Sequence, residues 1–222
     1  MSNLNNIEEV ANYMVSDGKG ILAADESNPT CGKRFESIGV ASDEKSRRDY
    51  REMLFRSEGM KGNIGGVILF DETIRQKAED GTSLVNIILD QGSLPGIKVD
   101  QGLKPIGESE ESLTHGLEGL DGRLKEYFSL GARFTKWRAV IKVGDSLPTE
   151  EAIVSNMNAL AEYAKLVQEN NMVPMVEPEV LMDGDHSIDQ CFDATSRSLE
   201  CLFNLLNEKG VNIKGTILKP NM

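Results

Sequence analysis

The chain has 222 residues, 39% of them hydrophobic and 27% charged, with a net charge of −12 and a pI near 4.7. That length suits one large domain, somewhat short of the roughly 250 residues of an eight-stranded α/β barrel, and the composition suits a globular protein with a core to bury. So acidic a surface repels nucleic acid and anionic membrane, and neither is expected as a partner; a locally basic site for an anionic substrate is still compatible with it.

The predicted elements alternate along the chain. An amphipathic leader over about 5–16 has no basic n-region and no apolar core, so it is not expected to be a signal peptide, and it lacks the Arg/Ser-rich character of a transit peptide. A β-rich run, GKGILAADES, ends at Ser27. A helix is expected over about 43–57, then a strand in GGVILFDE (65–72) and another in PGIKVDQ (95–101). The stretch 100–118, with Glu108, Glu110 and Glu111, reads as a long solvated βα loop. A helix over 119–130 precedes the strand-like ARFTKWRAVIKV (132–143). Residues 149–169 place Ile153, Met157, Leu160, Ala164 and Val167 on one helical face, with Thr149 as N-cap. The strand MVPMVEPEV (172–180) follows. A helix over 187–208 then lines up Ile188, Cys191, Phe192, Thr195, Leu199, Leu202, Phe203 and Leu206, opened by a capping box of Ser187 and Gln190. The last run is KGTILKPNM (214–222). Several of the strands are continuously apolar, as strands buried on both faces are. Strand–helix alternation predicts an α/β fold with a parallel sheet and crossover helices, in a single domain over 1–222. No apolar run approaches the roughly 18 residues of a membrane span. Cys31, Cys191 and Cys201 are spaced for neither zinc nor a disulfide framework, and reduced thiols in a cytosol-like compartment are expected.

Charge recurs at the strand ends. Asp25 follows Ile-Leu-Ala-Ala, Asp71 and Glu72 follow Val-Ile-Leu-Phe, Lys98 follows Gly-Ile, and Lys219 follows Thr-Ile-Leu. Lys136 and Arg138 sit inside one run, Glu177 and Glu179 inside another. Each of these pairs is two apart and shares a face if its run is a strand, although Pro178 could bend the second. Charges gathered at the carboxyl ends of parallel strands are where barrel enzymes keep their chemistry. Two amines sharing a partly dry site repel, which favours proton loss from one, and a neutral amine is the form that attacks a carbonyl to give a Schiff base. A nearby carboxylate can shuttle protons, and lysines suit phosphate. The constellation fits carbonyl chemistry on a phosphorylated sugar; taken singly, a strand-end lysine is more often a salt-bridged structural residue.

Other chemistries find little support. The two histidines, His115 and His186, are far apart and there is no HExxH, so no metal site is expected. DGDH (183–186) lacks the rest of a calcium loop and reads as a turn before the capped helix. No Walker A is present, and Gly62, Gly65 and Gly66 precede a strand where a dinucleotide fingerprint follows one.

Taken together and in order, GKGILAADES, GGVILFDE, PGIKVDQG, KWR, VPMVEPEVLMDGDH and LKPNM resemble the class I, lysine-dependent fructose-1,6-bisphosphate aldolases, from about residue 10 to 222. The resemblance implies a (β/α)8 TIM barrel, usually tetrameric and cytoplasmic or plastidic, with no cofactor. It implies cleavage of fructose 1,6-bisphosphate to dihydroxyacetone phosphate and glyceraldehyde 3-phosphate in glycolysis, gluconeogenesis or the Calvin cycle. Carried over by position, Lys219 matches the Schiff-base lysine, Glu177 the general acid and base, and Glu179 the second glutamate that orients the lysines. Lys136 matches the lysine beside the nucleophile, Arg138 a substrate-contacting arginine, and Asp25 the aspartate at the C4 hydroxyl. Lys98 and Ser27 match substrate- and phosphate-binding positions, and Thr30 stands where some relatives have a second phosphate-contacting serine.

Six strands are counted where the barrel has eight, so the expectation is a C-terminally incomplete barrel carrying the first six. The full-length protein is then expected to be a homotetramer acting on a sugar phosphate. The alternatives for this chain are an inactive fragment or a non-catalytic binding or assembly module. Sedoheptulose bisphosphate is a further substrate that the sequence does not separate from fructose bisphosphate.

Overall fold

The computed structural model describes residue 4 and residues 6–221. Residues 1–3 and 5, in the expected leader, and Met222, the last residue of LKPNM, lie outside the described residues. The chain forms two compact units, the first comprising Met1–Lys98 and Glu126–Thr135, the second Val99–Lys125 and Lys136–Met222.

The first unit runs α1 (Ile7–Met14), β1 (Gly20–Ala24), α2 (Asn28–Glu36), α3 (Glu44–Phe55), β2 (Ile64–Leu69), α4 (Asp71–Arg75), α5 (Leu84–Asp90) and β3 (Leu94–Lys98). Its three strands pair in parallel in chain order, with Ala24 opposite Leu69 and Leu69 opposite Ile97. β2 is buried from Gly65 to Leu69, as its unbroken apolar sequence requires. α1 and α3 start where short polar side chains satisfy otherwise orphaned amides. Asn6 accepts from Glu9 N at 3.0 Å, and Asp43 from Ser46 N at 2.7 Å. The sequence did not announce α2, α4 or α5. α2 carries Pro29 and Gly32, poor helix residues except that proline is tolerated in the first turn. α5 buries Leu84, Val85, Ile87 and Ile88, so no polar face marks its period.

Glycine permits two close approaches in this unit. A Cβ on Gly65 would lie 2.2 Å from the Met14 carbonyl oxygen, and one on Gly96 would lie 2.3 Å from the Phe134 ring. Both glycines serve packing from within strands; Gly65 and Gly66, expected to precede a strand, lie inside β2. The strand-end acids Asp71 and Glu72 are likewise taken up by structure. Asp71 accepts from the Tyr127 hydroxyl at 2.9 Å and pairs with Arg75. Arg47 grips Glu72 through two hydrogen bonds of 2.7 Å and holds its carboxyl below the usual glutamate range.

The second unit contains β4 (Leu103–Pro105), β5 (Ser112–Thr114), α6 (Leu120–Ser129), β6 (Phe134–Ile141), α7 (Glu150–Glu169), β7 (Val173–Val180), α8 (Ile188–Glu208) and β8 (Ile217–Leu218). The C-terminal end of α6 and the start of β6 belong to the first unit. β6, β7 and β8 are neighbours in that order, and β7 and β8 run parallel. α7 buries the predicted face, and Thr149 caps it by accepting from Ala152 N. α8 opens with the predicted capping box of Ser187 and Gln190. Its buried stripe differs from the expected one: Ala194, Ser198, Leu202 and Leu206 are buried, whereas Ile188 and Phe192 are exposed. Small residues at 194 and 198 let α8 pack on α7, and they outweigh the larger side chains that dominate the sequence pattern.

The stretch 100–118 also differs from its expectation as a solvated loop. β4 and β5 form an antiparallel hairpin, and while Glu108 and Glu110 are exposed, Glu111 is buried. The Glu111 carboxylate accepts from Thr149 N at 2.9 Å and from the Thr149 hydroxyl at 2.6 Å, fastening the hairpin to the start of α7. An acid run read by composition does not reveal which of its members meets a helix cap.

Gly96→Ala should therefore destabilise the first unit by about 1–3 kcal/mol, because the Phe134 ring has no room to retreat in a packed core. Urea unfolding checks this, and a midpoint unchanged from wild type would contradict the packing described.

Candidate active site

The site is assembled by strand register in the second unit. In β7, Met175 and Val176 lie opposite Ile217 and Leu218 of β8. The ladder continues one residue past β8, where Lys219 N donates to the Val176 carbonyl at 2.9 Å. Continuing the pairing places Lys219 beside Glu177. In β6, Lys136 and Arg138 share a face while Trp137 turns to the other, where its ring lies 5.3 Å from that of Tyr163 in α7.

The result is two ion-paired groups. Glu177 is buried and holds both lysines: Oε2 is 3.0 Å from Lys136 Nζ, and Oε1 accepts from Lys219 Nζ. Lys136 is 6% exposed, whereas the Lys219 side chain is 38% exposed, so one amine is sheltered and the other meets solvent. Two residues further along the same strands, the Arg138 guanidinium pairs with Glu179, both partly exposed. β7 spans Val173–Val180 as one strand, so Pro178 does not separate the two glutamates. The five side chains named are three cations and two carboxylates, in a chain of net charge −12. The cluster can attract an anionic ligand, present an accessible amine to a carbonyl, and hold a carboxylate between two amines where it can pass protons.

The structure brings together Lys136, Arg138, Glu177, Glu179 and Lys219 of the nine residues singled out from sequence. The other four lie in the first unit. Asp25 directly follows β1, and Lys98 closes β3. Ser27 precedes α2, where its hydroxyl does not cap the helix; it lies 3.0 Å from the Thr30 hydroxyl, so these two hydroxyls sit side by side. Sequence reasoning missed the support behind this segment. Arg51 of α3, 1% exposed, donates to the Ala24 carbonyl at 3.3 Å, the Glu26 carbonyl at 2.8 Å and the Glu26 carboxylate at 3.2 Å. It thereby fixes the backbone on both sides of Asp25. The only signal was its place one turn before the buried Phe55 on the same helix face.

Among the described residues, no group of three or more His, Cys, Asp or Glu side chains is placed to hold a metal ion, and no helix is long and apolar enough to cross a membrane.

This geometry belongs to a recognisable class. The family model for fructose-bisphosphate aldolase class-I matches residues 6–222, and the chain belongs to that family. It is 51% identical over 217 residues to a "Probable fructose-bisphosphate aldolase class 1" of Xanthomonas campestris, covering 97% of this chain and 65% of the relative. It is 48% identical to "Fructose-bisphosphate aldolase 5, cytosolic" of Arabidopsis thaliana, covering 96% of this chain and 60% of the relative. A crystal structure of fructose-bisphosphate aldolase from Plasmodium falciparum, in complex with TRAP and a small-molecule inhibitor, matches with a TM-score of 0.95 at 46% identity, over 97% of this chain and 63% of that one. The chain thus spans about two thirds or less of the length of the relatives it matches. Its fold is the α/β fold of the class I aldolases, the TIM barrel class expected from the sequence, with six of the barrel strands present among the described residues.

Removing one member of the buried pair tests its energetics. Glu177→Leu should cost roughly 3–5 kcal/mol, because it removes a buried carboxylate that compensates the charge of the buried Lys136 amine. Lys136→Met combined with Glu177→Leu should recover most of that loss. If the double variant were as unstable in urea as the single one, the pair would not be coupled as described.

Proposed function

We propose that this protein acts as a class I aldolase, cleaving fructose 1,6-bisphosphate to dihydroxyacetone phosphate and glyceraldehyde 3-phosphate through a Schiff base on Lys219. The observation that carries the reading is the buried Glu177 carboxylate between a sheltered and an accessible amine; family membership supports it.

In this mechanism the neutral Lys219 amine adds to the C2 carbonyl, and the C2 oxygen takes up a proton to give a carbinolamine. Glu177, in contact with Lys219 Nζ, protonates the departing hydroxyl, and water leaves to form the protonated imine. Asp25 accepts the C4 hydroxyl proton, the C3–C4 bond breaks, and its electron pair moves into the imine to give an enamine while C4 leaves as the aldehyde. Protonation of the enamine at C3 and hydrolysis of the imine return the free lysine and release the ketone. Lys136 supplies fixed positive charge beside Glu177, and Glu179 holds Arg138 for the substrate. Lys98, Ser27 and Thr30 contact the phosphorylated ends, supported by the adjacent hydroxyls of Ser27 and Thr30. The active form is a homotetramer in the cytoplasm; relatives from Arabidopsis thaliana named as cytosolic support the location.

Purified protein should cleave fructose 1,6-bisphosphate at a rate unchanged by excess EDTA, because a lysine mechanism requires no metal. Glu177→Gln should lower kcat by about 10²–10⁴-fold, the range for loss of a general acid–base group. Activity abolished by EDTA and restored by a divalent cation would sink the reading, and a folded protein inactive in every condition would favour a binding or assembly role.

A further inference from the structure

β6 carries both Lys136 and Arg138, and the two are held from behind in different ways. Carbonyl oxygens two residues apart on a strand face the same edge and ordinarily bond to successive donors of the neighbouring strand. The first of these bonds is made: Val99 N donates to the Lys136 carbonyl at 3.1 Å. The next ladder donor would be Gln101 N, reaching for the Arg138 carbonyl. It is diverted into the hairpin and donates to the His115 carbonyl at 2.7 Å. The Arg138 carbonyl then accepts a hydrogen bond of 2.8 Å from the hydroxyl of Thr114.

Thr114 is itself held fast. It is 3% exposed, and its backbone N donates to the Asn156 side-chain oxygen at 3.3 Å. Asn156, buried in α7, also donates to the Ser112 carbonyl at 2.8 Å and to the Ala152 carbonyl of its own helix at 3.0 Å. With Glu111 gripping Thr149, the hairpin is fixed to the first two turns of α7. That makes the Thr114 hydroxyl a rigid donor. A flexible one would cost conformational freedom each time the bond formed.

We propose that Thr114 is a positioning residue for the aldolase site: its hydroxyl replaces the ladder donor that the chain withdraws at Gln101, and so fixes the part of β6 from which Arg138 meets the phosphorylated substrate. The proposal rests on the aldolase reading and goes beyond it by tying a residue of the hairpin to substrate affinity. On the aldolase reading Arg138 grips the unreacting phosphorylated part of the substrate, a contact common to ground and transition state, so loosening it should raise KM and leave kcat in place.

The test is steady-state cleavage of fructose 1,6-bisphosphate by wild type, Thr114→Val and Thr114→Ser. Valine keeps the shape and loses the hydroxyl; serine keeps the hydroxyl and loses the methyl. Thr114→Val should raise KM by roughly 3- to 10-fold, the value of one buried hydrogen bond, with kcat within about twofold of wild type. Thr114→Ser should return KM to near wild type. If Thr114→Val does not fold, Thr114→Ala against Thr114→Ser asks the same question of the hydroxyl. Unchanged KM in an active, hydroxyl-free variant overturns the positioning role alone. Equal losses in the serine variant and the hydroxyl-free variants also overturn it, since they would report packing of the methyl. A wild-type protein with no cleavage overturns the aldolase reading and this proposal with it.

Discussion

A single carboxylate, Glu177, separates two lysine amines, and much of the second unit is arranged to keep it there. Placing three ionisable groups together at the end of a sheet carries a desolvation cost of several kcal/mol for each buried ion. Lys136 and Glu177 bear that cost, being nearly inaccessible, whereas Lys219 remains partly in water. The asymmetry suits a division of labour. In the proposed mechanism the buried lysine stays beside Glu177, and the partly exposed one is accessible to a carbonyl. A hydrophobic pair of similar volume would be as stable or more so, so the charges are best understood as serving chemistry.

The register of the strands delivers this arrangement with little help from side-chain flexibility. One backbone bond, from Lys219 N to Val176, carries the β7–β8 ladder past the end of β8 and fixes which residue faces Glu177. A slip of one residue would turn Lys219 to the opposite face and leave Glu177 with one amine. The period of two along β6 and β7 then repeats the pairing one step on, giving Arg138 and Glu179. Outside the sheet, the β4–β5 hairpin ties the start of α7 to β6 through Glu111, Asn156 and Thr114. Rigid elements so connected hold their functional groups more closely than isolated loops do.

The amino-acid pattern made much of this legible. Strands with continuous apolar runs announced burial on both faces, and the charges placed two apart in KWR and VEPE announced shared faces that the pairs Lys136–Glu177 and Arg138–Glu179 occupy. The capping residues Thr149 and Ser187 were readable because a cap is a local, short-range event. What stayed hidden depends on contacts distant in sequence. Arg51 looks like one more charge on a polar helix until Glu26, 25 residues away, is folded against it. Glu111 sits in an acidic run whose other members are exposed, and its meeting with Thr149 spans 38 residues. The buried stripe of α8 departs from the hydrophobic pattern because small residues, which allow close helix packing, weigh least in that pattern.

The most direct test of the central claim is borohydride reduction of the protein in the presence of dihydroxyacetone phosphate, followed by peptide mass mapping. The arrangement around Glu177 predicts a single covalent adduct on Lys219, the accessible amine, and none on Lys136. An adduct on Lys136 or on any lysine outside the cluster, or no adduct in a protein that circular dichroism shows to be folded, would contradict the account.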